Sequence, residues 1–92
     1  MDTQKELSFQ DLSVLAGQKV VVGAKQLRKA LSAGTVKNAF FAKNADPAVT
    51  EPLIARCIEN QVAFAWVKSM QDLGRACGID IGAAAAAIVI DA

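Results

Sequence analysis

The chain has 92 residues, 53% of them hydrophobic, and a formal net charge of +1. That length supports one core rather than two, the apolar fraction excludes disorder as the main state, and the longest apolar run, Ala83 to Ile90, falls far short of the roughly 20 residues that span a bilayer. Histidine is absent and the two cysteines, Cys57 and Cys77, lie far apart in apolar contexts, which removes the commonest general base, the histidine-dependent triads and an ordinary zinc site.

Neither catalytic residues nor a metal or other cofactor are therefore expected, and both thiols read as buried packing groups. Residues 1–7 read as a flexible N-terminal tail and residues 8–92 as a single domain. Met1 to Leu7 is polar, without the charged-then-apolar order of an export signal, so a cytoplasmic protein with no membrane partner is expected. Asp11 is suited to cap a short first helix carrying Leu12, Val14, Leu15 and Ala16, with Gly17 as its stop.

Lys19 to Val22 reads as a short buried strand, and Gly23 joins it directly to a helix that runs to Gly34. At about 100° per residue, Ala24, Leu27, Ala30 and Leu31 share one side of that helix and Lys25, Gln26 and Lys29 the other, with Arg28 at the seam. A glycine before the first turn permits close backbone approach, and the unpaired N–H groups of that turn carry partial positive charge, so an anion or a nucleobase edge fits there.

Thr35 to Ala42 ends in an apolar run suited to a central strand, and Lys43 to Pro47 is turn chemistry. Asp46 and Thr50 are rival caps for the helix that follows, with Pro52 in its first turn, an apolar face of Leu53, Ile54, Cys57 and Ile58, and Asn60 as its stop. Val62 to Val67 reads as a third strand. Ser69 with Asp72 forms a capping-box pattern that starts a helix facing inward through Met70, Leu73 and Cys77 and ending at Gly78. In Ala83 to Ile90 alanine favours helix and Ile88-Val89-Ile90 favours strand; strand completes the alternation. The order αβαβαβαβ specifies a three-layer α/β/α sandwich around a mixed four-stranded sheet, the alanines leaving room for Trp66, Phe40 or Phe41 opposite.

The charges are balanced in number but not in order. Between Lys19 and Ala45 stand six basic residues, Lys19, Lys25, Arg28, Lys29, Lys37 and Lys43, and no acidic one. Folded into one surface, this block makes a local positive field able to attract phosphates.

Four blocks, Gly23 to Lys29, Ala42 to Pro47, Leu73 to Gly78 and Ile79 to Ala85, occur in an order and spacing that resemble the L-seven-Ae ribosomal protein family, most closely its small bacterial members, over Leu12 to Ile90. The resemblance implies the same sandwich and binding to kink-turn RNA, a duplex bent sharply at a three-nucleotide bulge beside tandem sheared G·A pairs. It assigns Lys25 and Gln26 to guanine edges, Lys29 to base edge or phosphate, Gly23 to the close approach, with Ala24 also among the RNA-binding residues, and the loop Ile79, Asp80, Ile81 and Gly82 to the extruded nucleotide. Arg28, Lys37 and Lys43 would meet flanking phosphates. Many archaeal and eukaryotic members carry Asn-Glu where this chain has Lys25-Gln26, and Asn44 replaces a usual aspartate.

The chemistry is compatible with these roles. An A-form major groove is too narrow to read unless irregular pairs widen it, lysine donates to guanine O6 and N7, and a glutamine amide both donates and accepts. The expected protein is a monomeric, non-catalytic RNA-binding protein acting on kink-turn RNA in ribosomal RNA or an mRNA leader, with the ribosome as an expected partner. The alternative is a protein-interaction adaptor of the same fold that does not bind RNA, with which the mixed net charge and the apolar 79–82 loop are compatible; independently of either, the loop isoleucines could serve only to cap the core. A nucleotide-binding enzyme fits poorly, because neither G-x-G-x-x-G nor a Walker lysine-serine pair follows the first strand.

Overall fold

The computed structural model describes Glu6–Leu7, Leu12, Leu15 and residues 17–90. Five strands, β1 (Glu6–Leu7), β2 (Val20–Val22), β3 (Val36–Ala42), β4 (Ala63–Val67) and β5 (Ala85–Val89), alternate with three helices, α1 (Ala24–Ala33), α2 (Pro47–Glu59) and α3 (Met70–Ala76). The sheet order is β1-β4-β3-β5-β2. β5 runs antiparallel to both β2 and β3, while β3 pairs in parallel with β4 and β4 with β1. The expected mixed sheet of β2, β3, β4 and β5 is present. Glu6 and Leu7, the last two residues of the stretch read as a tail, extend it along β4, opposite Trp66 and Val67. The Asp11 cap and Val14 and Ala16 of the expected first helix lie outside the described residues; Leu12 and Leu15 are both buried.

Period-two alternation sorts the strands onto two cores. Ala39, Phe41, Ala85, Ala87 and Val89 face Leu27, Leu31, Leu53 and Cys57 of α1 and α2. Phe40, Ala42, Val67, Ala86 and Ile88 face the other way, onto Leu73 of α3 with Leu12 and Leu15. The alanine run is thus a strand buried on both faces, with Ala85, Ala86 and Ala87 at 0% exposure. Phe41 occupies the space that such small side chains leave beside it. Its ring lies edge-on to Phe64, with centroids 5.8 Å apart, and tilted against Trp66 at 6.3 Å.

The helix boundaries follow local chemistry. Gly34, in the left-handed region at φ 73°, donates to the carbonyls of Ala30 and Leu31 and ends α1. Asp46 prevails over Thr50 as the α2 cap, accepting from the Ala48 N–H at 2.9 Å, and Thr50 is buried one turn inside the helix. Pro47 takes the first helical position, so Pro52 falls in the second turn rather than the first. It removes the N–H that would bond the Ala48 carbonyl, and both residues are exposed where water can replace it. Ser69 accepts from the Asp72 N–H at 3.0 Å, as the capping pattern requires.

Two side chains depart from the sequence reading. Ile58 is 64% exposed rather than part of the α2 core face. Cys77 is only half-buried, whereas Cys57 is fully buried.

Replacing Phe41 with alanine empties the space over the alanine strand and should cost about 3–5 kcal/mol of unfolding free energy, read as a lower urea midpoint at unchanged slope. Burial pushes both thiols above their ordinary value of 9.0. Above pH 9 the unfolded chain therefore loses thiol protons that the folded chain keeps, so stability is full below that pH and declines as pH rises through and beyond it. Replacing both cysteines with alanine should flatten the decline, measured by urea unfolding across alkaline pH.

Candidate nucleic-acid interface

Because β2, β3 and β4 all run parallel to one another, their C-terminal ends lie along one edge of the sheet, together with the start of β5. Each of these strands feeds a helix, so the N-termini of α1, α2 and α3 converge on that edge. Asp46 caps α2, and Ser69 caps α3 with Asp72 in its first turn. α1 differs: its cap is Gly23, which brings no side chain to the first turn, and that turn contains no acidic residue. Its first N–H groups and their share of the helix dipole are left for a ligand.

Gly23 sits at φ 105°, ψ 152°, a backbone region essentially reserved for glycine. A Cβ built there would meet nothing within 4 Å, so the constraint is conformational and the space beside the backbone is open. Lys25, Gln26, Arg28 and Lys29 are all exposed, Ala24 is half-buried, and Leu27, Ala30 and Leu31 are buried. The division between the two sides of the helix is the one its sequence periodicity predicts.

The neighbouring loops are fastened to this edge by backbone bonds. The Gly23 N–H donates to the Ala85 carbonyl at 2.8 Å, the Ala42 N–H to Ala84 at 2.9 Å, the Lys43 N–H to Val67 at 2.8 Å and the Ala83 N–H to Met70 at 3.0 Å. Asn44 Oδ1 accepts from the Met70 N–H at 2.8 Å, clamping the β3–α2 turn to the start of α3. The loop from Ile79 to Gly82 lies directly on α3, where the backbone of Gly74 meets the Ile81 carbonyl so closely that an added Cβ would collide with it.

That loop divides its two isoleucines. Ile79 is half-buried against the α3-side core. Ile81 is 74% exposed, with Asp80 and Gly82 exposed on either side. One isoleucine anchors the loop and the other presents apolar surface to solvent.

The remaining sequence-selected cations separate. Lys43 is exposed in the turn that closes β3, on the same edge as α1's first turn. Lys37 is exposed at the opposite end of β3, as the extra residue of the bulge between Val36 and Asn38. Six strand steps, roughly 20 Å, separate it from Lys43. The structure therefore brings together Gly23 to Lys29, Lys43 and the 79–82 loop, and leaves Lys37 apart. Sequence reading missed Asn44, Met70 and Gly74 as the residues that fix the loops. For Asn44 the signal was visible only as a turn residue, since its partner is 26 positions away.

The sequence profile of the Ribosomal protein L7Ae/L30e/S12e/Gadd45 family matches residues 7–92. The chain belongs to this family. Among related sequences, an RNA-binding protein of Bacillus pumilus is 44% identical over 77 residues, spanning 84% of this chain and 94% of that one. Large ribosomal subunit protein eL8 of Nitrosopumilus maritimus is 43% identical over 72 residues, 77% of this chain and 56% of its own. Among solved structures, the Giardia lamblia 15.5kD RNA binding protein shares the fold, with a TM-score of 0.75, 24% identity and coverage of 90% of this chain and 68% of that one. A Bacillus halodurans protein of unknown function matches with a TM-score of 0.72 at 27% identity, over 94% and 85% of the two chains.

In this family member no group of three or more metal-ligating side chains occurs among the described residues, and no helix there is long and apolar enough to cross a membrane. Gly74→Ala should push the Ile79 to Gly82 loop off α3, at a cost of about 1–3 kcal/mol. The amides of Ile79 and Ala83, which bond Gly74 and Met70, should then exchange hydrogen faster than those of β3, measured by native-state exchange.

Proposed function

We propose that this protein is a non-catalytic RNA-binding protein that recognises and stabilises kink-turn RNA, in ribosomal RNA or in a structured mRNA leader, acting as a cytoplasmic monomer. The observation that carries this reading is the bare N-terminus of α1, with Lys25, Gln26 and Lys29 exposed beside it and Ile81 exposed on the same edge of the sheet. The names of the Bacillus pumilus and Nitrosopumilus maritimus relatives, an RNA-binding protein and a ribosomal protein, support it.

In this reading the lysine ammonium groups of Lys25 and Lys29 donate to guanine O6 and N7, where sheared pairs widen the groove. Gln26 supplies both a donor and an acceptor to a guanine edge. Its uncharged acceptor makes a weaker bond to guanine N–H groups than a carboxylate would, and the Lys25 charge compensates through phosphate attraction. Ile81 covers an unstacked base with apolar surface, and Lys43 and Arg28 meet phosphates on either side. No bond is made or broken: tighter binding to the bent form shifts the RNA toward it.

Lys29→Ala combined with Gln26→Ala should weaken binding to a kink-turn RNA by at least one to two orders of magnitude, at about 1–3 kcal/mol per base-edge contact. A gel-shift titration in which the double variant binds as tightly as the parent would remove α1 from the interface. Affinity that falls steeply with added salt is expected of phosphate contacts; salt-insensitive association with a protein would favour the adaptor reading instead.

A further inference from the structure

A groove of about 360 Å³ runs between α1 and α2, opening at the edge that carries the proposed guanine contacts and leading back from it along the two helices. It begins at Ala24, in the first turn of α1, has Val49 and Pro52 along its α2 wall, and is flanked by Arg28 and Arg56. No carboxylate lines it, and neither arginine makes an ion pair among the described residues. Arg56 is held in place by donating from its guanidinium to Ser32 Oγ at 2.9 Å, across from α2 to α1.

Ser32 stands one helical turn beyond Arg28 on α1, a spacing that puts side chains roughly 5–6 Å apart at Cβ. The bond to Ser32 therefore draws the Arg56 guanidinium to within one turn of Arg28. Arg28 and Arg56 thus flank an apolar wall from facing helices with no carboxylate in the groove's lining, an arrangement that suits an anion. Guanidinium groups suit phosphate because their donors are fixed in a planar fork. Ser32 Oγ, having accepted from Arg56, still has its own hydrogen to donate.

The geometry points to a phosphodiester track here: the groove flanked by Arg28 and by the Ser32-held Arg56 receives the backbone of a single strand that continues past the nucleotides read by the first turn of α1. A strand leaving that turn would enter the groove at Ala24 and run down it to Arg56. The inference rests on the RNA-binding reading of α1 and adds to it a second, sequence-independent contact.

The test compares a minimal kink-turn RNA with the same RNA carrying a short single-stranded extension on either strand, each titrated against the parent protein, Arg56→Gln, Arg56→Lys and Ser32→Ala across a salt series. In the parent, one of the two extensions should tighten binding severalfold and steepen the dependence of log affinity on log salt by about 0.7 per added phosphate contact. Arg56→Gln should abolish that gain while leaving affinity for the minimal RNA unchanged. Arg56→Lys, which keeps the charge, should retain the steeper salt slope, and Ser32→Ala should reduce the gain by freeing Arg56. Binding of the minimal RNA with no gain from either extension, or a gain that survives in Arg56→Gln, would overturn the track and leave the α1 reading standing. Binding of neither RNA would overturn both.

Discussion

The arrangement depends on how closely four loops are tied at one edge of the sheet. The peptide N–H groups of Gly23, Ala42 and Ala83 reach carbonyls in the β5 approach and α3, and the Asn44 side chain adds a fourth tie to Met70. Each such bond contributes only about 0.5–1.5 kcal/mol net. Together they fix where the first turn of α1 stands relative to Ile81, two features brought from positions far apart in the chain. A binding surface assembled from such distant pieces loses little entropy on contact with a ligand only if the pieces are already held. Gly74 enforces the same constraint sterically, since no larger residue fits beneath the Ile81 carbonyl.

The core serves that edge. Three consecutive alanines in β5 are buried on both faces, so the sheet is thin where α1 crosses it and thick where Phe41, Phe64 and Trp66 gather to one side. α1 can settle onto β5 through Leu27, Ala30 and Leu31 and turn its entire opposite side to solvent. The polar residues on that side make no demand on the core, which leaves them available to a partner. The balanced net charge of +1 conceals this, because screening over about 8–10 Å makes local order matter more than the total.

Much of this was legible in the sequence because it is encoded locally. Gly34, Asn60 and Ser69 with Asp72 end or start helices through bonds to residues within a few positions. The two sides of α1 follow from a 3.6-residue period. The strand nature of Ala85–Val89 was harder, since alanine's helix preference is weak and tertiary burial overrides it. What was not legible is long-range. Lys37 and Lys43 bracket one strand in the sequence, but which of the two shares an edge with the first turn of α1 follows only from the parallel direction of β2 and β3 in the folded sheet. The Asn44 clamp, the Gly74 contact and the Arg56 to Ser32 bond join residues whose adjacency only the folded sheet creates. Ile58 follows the helical period and is still exposed.

The proposed role reduces to preferential binding of a bent RNA by the α1 edge. The most direct measurement places fluorophores at the ends of the two helical arms of an RNA carrying a three-nucleotide bulge and tandem G·A pairs, then follows energy transfer as the protein is added without other folding agents. The account predicts a saturable rise in transfer as the arms close, and much weaker binding to a straight duplex of the same length. Equal affinity for the straight and bulged RNAs, or saturation without closure of the arms, would contradict it.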